Sequence, residues 1–143
     1  MREDQKALLR ETFALIAPDA EAVAAIFYRR LFELDPALRP LFKSDMTAQG
    51  HKLMAMIGMV IANLDRLEAV VPAVRELGKR HAGYGVVVAH YGTMSGALFW
   101  MLRQALGDAW TQETAAAWAT CYGLIVGMML AGSGQGGTMS LLA

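Results

Sequence analysis

Apolar residues return every three or four positions along most of this chain, the repeat of one face of an α-helix. Over residues 4–17 that face carries Leu8, Leu9, Thr12, Phe13 and Ile16. Pro18-Asp19 closes the run, and Asp19 is a candidate N-cap for a second helix over residues 20–34. There Val23, Phe27, Tyr28, Leu31 and Phe32 cover much of the circumference, which makes the helix central. Asp35-Pro36 pairs a capping residue with a proline suited to a first helical position, so a short helix is expected to lead to Phe42. A polar loop follows over residues 43–47. In a third helix, residues 48–64, Gln49, Leu53, Met56, Ile57, Val60 and Leu64 share one side, and His51 lies opposite, toward water.

Asp65 and Arg66 mark a turn, and the next helix brings Val70, Val74, Leu77 and His81 onto one narrow stripe. Gly83-Tyr84-Gly85 reads as a corner, and Val86 to Val88 as a short extended connection too isolated to build a sheet. Residues 89–106 form a helix with Tyr91, Met94, Ser95, Leu98, Leu102 and Ala105 inside; Gly107 stops it and Asp108 is a cap candidate. The last helix, residues 111–130, turns Thr114, Trp118, Cys121, Tyr122, Ile125 and Met129 inward. The prolines at 18, 36, 40 and 72 stand where helices begin or break. The pattern predicts an all-α fold, one domain over residues 1–131, and a flexible glycine-rich tail over residues 132–143.

Composition changes this picture in a few respects. A chain of 143 residues is long enough for one substantial core. Its 13 basic and 13 acidic residues balance, so the basic face that a nucleic-acid partner requires is not expected. The single cysteine, Cys121, excludes an internal disulfide and a multi-cysteine zinc site. Charges in Met-Arg-Glu-Asp-Gln-Lys occupy the place of a signal peptide's apolar core, so a cytoplasmic location is expected. The uncharged run from Ala115 to Ala131 contains Gly123-x-x-x-Gly127, a spacing that lets membrane helices pack. It is short for a span, rich in alanine and glycine, and followed by no basic anchor, so a buried helix is the expectation.

His81 carries the chemistry. An imidazole at the end of an apolar seam needs a hydrogen bond, a fixed neutral tautomer or a metal, because burying a polar group without a partner costs roughly 1–3 kcal/mol. Taken alone, such a histidine is more often a satisfied core residue than a ligand. Gln49 is either a boundary residue or an amide aimed into a cavity, and Phe42 a core plug at a loop edge.

The order of features resembles the bacterial globins, namely the globin domain of flavohaemoglobins and single-domain bacterial haemoglobins. The resemblance covers about residues 4–130. It rests on Ile-Phe-Tyr-Arg-Arg-Leu-Phe-Glu-Leu-Asp-Pro-Ala-Leu-Arg-Pro-Leu-Phe ending at Phe42, on Gln49 and Leu53, on Val-Pro-Ala-Val-Arg-Glu-Leu-Gly-Lys-Arg-His ending at His81, and on His90-Tyr91 and Trp118 with Tyr122. It implies a globin fold around haem b, iron protoporphyrin IX, with His81 as proximal axial ligand of the iron. Phe42 then packs on the porphyrin, Tyr28 supplies a distal hydroxyl, and Gln49 and Leu53 complete the distal wall. The other ring nitrogen of His81 is expected to donate to a carbonyl one turn earlier, that of Leu77.

The implied activity is reversible binding of dioxygen and of other diatomic gases, carbon monoxide and nitric oxide among them. Nitric oxide dioxygenation is the enzymatic alternative. Two departures from flavohaemoglobins bear on it. Residues 128–133 hold no acid where that family carries a glutamate joined to the proximal histidine and to a tyrosine matched by Tyr91. The sequence given ends at Ala143, so turnover is expected to borrow electrons from a separate reductase. A gas or redox sensor, dimerising through the Gly123 and Gly127 face as a homodimer, and a cofactor-free helical protein are the other classes that fit.

Overall fold

The structure is a computed structural model that describes residues 1–43, 45–83, 85–86 and 88–133. Among the described residues there are six α-helices and no strand: α1 Glu3–Ile16, α2 Ala20–Leu34, α3 Met46–Ala62, α4 Val71–Gly83, α5 Val88–Leu106 and α6 Gln112–Ser133. Short 3₁₀ turns at Ala17–Asp19, Pro36–Leu41, Leu67–Ala69 and Gly107–Ala109 join them. The all-α expectation holds. Residues 134–143, most of the expected flexible tail, lie outside the described residues, as do Tyr84 of the corner and Val87 of the valine connection. Gly132, assigned to the tail from sequence, belongs to α6.

Local chemistry explains where the helices begin. The Asp35 carboxylate accepts from the Ala37 N–H at 3.1 Å and opens the turn that presents Phe42. Asp45 does the same for Ala48 at 3.2 Å, so α3 starts at Met46, inside the stretch read as loop. Ahead of α6 the cap is Thr111, whose hydroxyl accepts from the Thr114 N–H at 3.1 Å, not Asp108. Asp19 makes no side-chain cap; a 3₁₀ turn carries the chain into α2 instead. Val88 is helical rather than extended. Gly85, at φ 93°, occupies the left-handed region after α4, and Val86 then donates to the His81 carbonyl at 3.0 Å, closing that helix end.

The helices pack so that α4 runs along α6, α2 lies against α3 and α5, and α1 crosses α6. A methyl group on Gly50 of α3 would stand 2.9 Å from the Ala24 Cβ of α2, so these two helices cross at a close approach. That crossing brings Tyr28 and Gln49 together. The predicted inner faces are inside: Leu9, Ile16, Val23, Leu31, Val60, Val74, Leu102 and Trp118 are all buried. Helix α6 is long and apolar enough, by length and composition, to cross a membrane; here it turns Ala117, Trp118, Cys121, Val126 and Leu130 into the core.

Candidate functional site

A cavity of about 740 Å³ opens between α2, α3, α4, α5 and α6. Tyr28, Phe42, Gln49, Leu53, Leu77, His81 and Tyr91, the residues singled out from sequence, all line it. No pair of them is close in the chain except Gln49 with Leu53 and Leu77 with His81, so the fold does the gathering.

From α4 comes His81. Its Nδ1 lies 2.9 Å from the Leu77 carbonyl oxygen one turn earlier. A carbonyl only accepts, so Nδ1 carries the proton, and Nε2 keeps its lone pair with no protein partner among the described residues. Burial is the main force on its titration and pulls its pKa below the ordinary histidine value; the Leu77 carbonyl opposes this, and nearby Arg80 adds to it. A neutral ring results near neutral pH.

From α2 comes Tyr28, only 9% exposed. Its ring meets Phe27 edge-on at 4.9 Å between centroids and Phe42 at 5.6 Å, and Phe42 also meets Phe32 at 5.5 Å. Phe42 is thus both the plug foreseen from sequence and part of the cavity wall. The Tyr28 hydroxyl reaches the Gln49 main-chain carbonyl at 3.4 Å, a long contact that leaves it available as a donor to something in the cavity. Burial pushes its pKa up to about 12, so the proton stays on. Tyr91, buried on α5, is shifted upward by the same cause, and the Tyr122 hydroxyl donates to its main-chain carbonyl.

The rest of the lining separates into two kinds. Deep walls are apolar, with Leu31, Leu98, Trp118, Ile125, Val126 and Met129 among them. The thiol of Cys121 is there as well, its pKa raised to about 12 by burial. Solvent-exposed Lys43, Lys52 and Arg80 stand on the lining too, and among the described residues no carboxylate does. Sequence reasoning missed these cations. The available signal was weak: Lys52 and Arg80 each adjoin a predicted wall residue, as surface lysines and arginines commonly do.

The donor set restricts what such a cavity can hold. Among the described residues no group of three or more His, Cys, Asp or Glu side chains could hold a metal ion. One imidazole can anchor a metal only if the other ligands arrive with it. An apolar cavity, one unpartnered imidazole nitrogen and a set of cations fit a flat apolar macrocycle that carries a metal and acidic edge groups.

Comparison with known proteins agrees. A family model described as Globin matches residues 25–129. The flavohemoprotein of Xylella fastidiosa is 30% identical over 125 residues, which cover 85% of this chain and 31% of that protein. The chain thus spans about a third of that relative's length. Neuroglobin of Danio rerio is 27% identical over 151 residues, covering 96% of this chain and 95% of its own. Among solved structures, an engineered carbene transferase from Rhodothermus marinus superposes with a TM-score of 0.85 at 27% identity, covering 94% of each chain. A bacterial globin from Campylobacter jejuni, at 22% identity and a TM-score of 0.83, shares the fold. With 105 consecutive residues matched and the same helical fold around an apolar pocket, the chain belongs to the globin family and is a haem-binding globin.

Proposed function

We propose that this chain binds haem b and uses it to bind dioxygen reversibly, with carbon monoxide and nitric oxide as further ligands of the same site. The observation that carries the reading is His81, with its Nδ1 proton committed to Leu77 and its Nε2 lone pair left on the wall of an apolar cavity. Haem supplies there an iron that takes one imidazole and leaves a position for a diatomic gas. The Leu77 carbonyl holds the imidazole in one tautomer and raises its basicity toward the metal. Tyr28, kept protonated by burial, offers a hydroxyl donor to a polar diatomic ligand, and Gln49 adds an amide from the first turns of α3. Leu53 and Phe42 complete an apolar wall that keeps water out. Lys43, Lys52 and Arg80 would hold the acidic side groups of the porphyrin.

Nitric oxide dioxygenation, with electrons from a separate reductase, is the second reading. It is favoured by the flavohemoprotein relative, and by the Rhodothermus marinus neighbour, whose parent carries a provisional nitric oxide dioxygenase name. Against it stands a cavity whose described lining includes no carboxylate, so among the described residues the Leu77 carbonyl alone strengthens the push of His81.

The test is the absorption spectrum of the purified protein, oxidised, reduced, and reduced under carbon monoxide. A Soret band that shifts on carbon monoxide as five-coordinate ferrous haem does is the expected result. Haem-supplemented protein without such a band overturns the reading.

A further inference from the structure

Away from the haem cavity, α2, α5 and the corner after α5 flank a second hollow of about 260 Å³, an open groove at the surface. Its walls are aromatic. Trp100, Phe99 and Trp110 line it, and the exposed Leu34 and Trp100 leave apolar surface open to water, 44% and 36% exposed. Phe99 is wedged between Trp110, at 6.2 Å between ring centroids, and Tyr122, at 6.3 Å, so one wall is continuous with the core.

The polar groups of this hollow are all donors. Arg30 places its guanidinium carbon over the Trp100 ring, 4.3 Å from the centroid, and its one ion pair among the described residues, with Glu33, is loose at 3.9 Å. Arg103 makes no ion pair among the described residues, and no acidic side chain lines the hollow. The indole N–H groups of Trp100 and Trp110 have no protein acceptor among the described residues either. In a chain with no net charge, two guanidiniums and two unpaired indoles around apolar walls select an anion over a cation, and a flat anion over a round one. The volume falls below the roughly 300–1,000 Å³ of pockets for drug-sized ligands, which limits the occupant to a single ring or a fused pair.

We propose that the hollow lined by Arg30, Trp100, Arg103 and Trp110 is a binding site for a small planar aromatic carboxylate. The ring lies against the indoles, and the carboxylate takes the guanidinium of Arg103. The site is separate from the haem cavity and does not depend on the haem reading.

The test uses the full 143-residue chain as purified, with benzoate, benzyl alcohol and acetate as probes, read by calorimetry and by the indole N–H resonances of the three tryptophans. Benzoate is expected to bind at one site with a dissociation constant of about 1 mM, the scale for so few atoms. It should move the Trp100 and Trp110 resonances and leave that of Trp118, which lines the haem cavity, in place. Benzyl alcohol, which keeps the ring, and acetate, which keeps the charge, should each bind about fivefold or more weakly, and Arg103→Gln should weaken benzoate by about as much. Trp100→Leu, on the exposed rim, is a second variant expected to abolish the benzoate shift at Trp110. Equal binding of benzyl alcohol and benzoate, unchanged affinity in Arg103→Gln, or a shift at Trp118 alone overturns the proposal. So does a dimer in sedimentation that Trp100→Leu dissociates and benzoate does not compete with, because the hollow is then an interface between copies.

Discussion

Gly78 of α4 and Met129 of α6 meet main chain to main chain: a Cβ built on Gly78 would stand 2.0 Å from the Met129 carbonyl oxygen. The contact is reciprocated one turn away, where a Cβ on Gly132 would stand 2.0 Å from the carbonyl oxygen of Arg75. Two antiparallel helices are thereby locked at a separation no other side chain permits. The lock sets how deep α4 sits, and His81 is three residues along from Gly78. Gly78→Ala should destabilise the fold by about 1–3 kcal/mol or more, because the atom displaced is main chain and cannot turn aside. Gly92→Ala is the control: it is a helical glycine with nothing within 4 Å of the added methyl, and should stabilise by about 0.5–1 kcal/mol. Urea denaturation of both variants decides, and a Gly78→Ala protein as stable as its parent would remove the close approach.

How much of this was legible beforehand follows from what a sequence encodes. Periodicity found Leu9 and Val74 because α1 and α4 have a polar side to contrast with the apolar one. It passed over Met54, Ile61, Val126 and Leu130, all buried, because α3 and α6 are apolar nearly all round and a stripe has no edges there. Capping misled ahead of α6, where Thr111 and not Asp108 is the cap, and the cap of α3, Asp45, lay inside the stretch read as a polar loop. The cavity residues Tyr28, Phe42, Gln49 and His81 came from the order of motifs. The cations Lys43, Lys52 and Arg80 did not, since a charge on an exposed helix edge looks the same whether or not a cavity opens beside it. The aromatic hollow was invisible for the same reason, its walls coming from α2, α5 and the corner between α5 and α6.

Trp118 is held by a buried hydrogen bond that spans the fold, its indole N–H donating to the Thr12 hydroxyl at 2.9 Å, which in turn donates to the Leu8 carbonyl at 2.6 Å. Thr12→Val preserves shape and removes the acceptor that the indole has among the described residues, so it should cost about 1–3 kcal/mol, the penalty of an unsatisfied buried donor. Thr12→Ser keeps the acceptor and should recover most of the loss. Chemical denaturation of both variants measures the difference; equal stabilities would mean the bond contributes nothing.

His81→Ala should abolish or greatly weaken haem retention while leaving the helical fold in place, since His81 is only half-buried and the core of α4 rests on Val74 and Gly78. Free imidazole added to the variant should restore the ferrous and carbonyl spectra by supplying the missing nitrogen. A variant whose spectra match the parent's without imidazole would remove His81 as the ligand.

Tyr28→Phe deletes one hydroxyl and keeps the aromatic cluster with Phe27 and Phe42. A hydrogen bond to a charged acceptor is worth roughly 1.5–3 kcal/mol, so dioxygen should leave the variant at least about tenfold faster in stopped-flow. The same substitution should flatten the alkaline limb of stability. Burial holds the folded-state pKa of Tyr28 up at about 12, above the ordinary tyrosine value of about 10, so above about pH 10 the unfolded chain loses a proton that the folded one keeps. Stability should fall with pH across that interval in the parent and fall less in the variant.

Asp65 joins α1 to the turn after α3, accepting from Lys6 Nζ at 2.9 Å and from Arg10 at 2.9 Å. The hydrogen bond from Lys6 is the main cause that holds its pKa below the ordinary aspartate value. With the folded pKa depressed, the stabilisation is complete above the unfolded value and is lost as pH falls through the folded one, where both states become protonated. Asp65→Asn should therefore lower the melting temperature at about pH 7 and leave it unchanged at about pH 2. High salt should narrow the neutral-pH difference, because all three side chains meet water and the pairs are screened. A difference between parent and variant that persists unchanged into acid would assign the effect of Asp65 to packing rather than to charge.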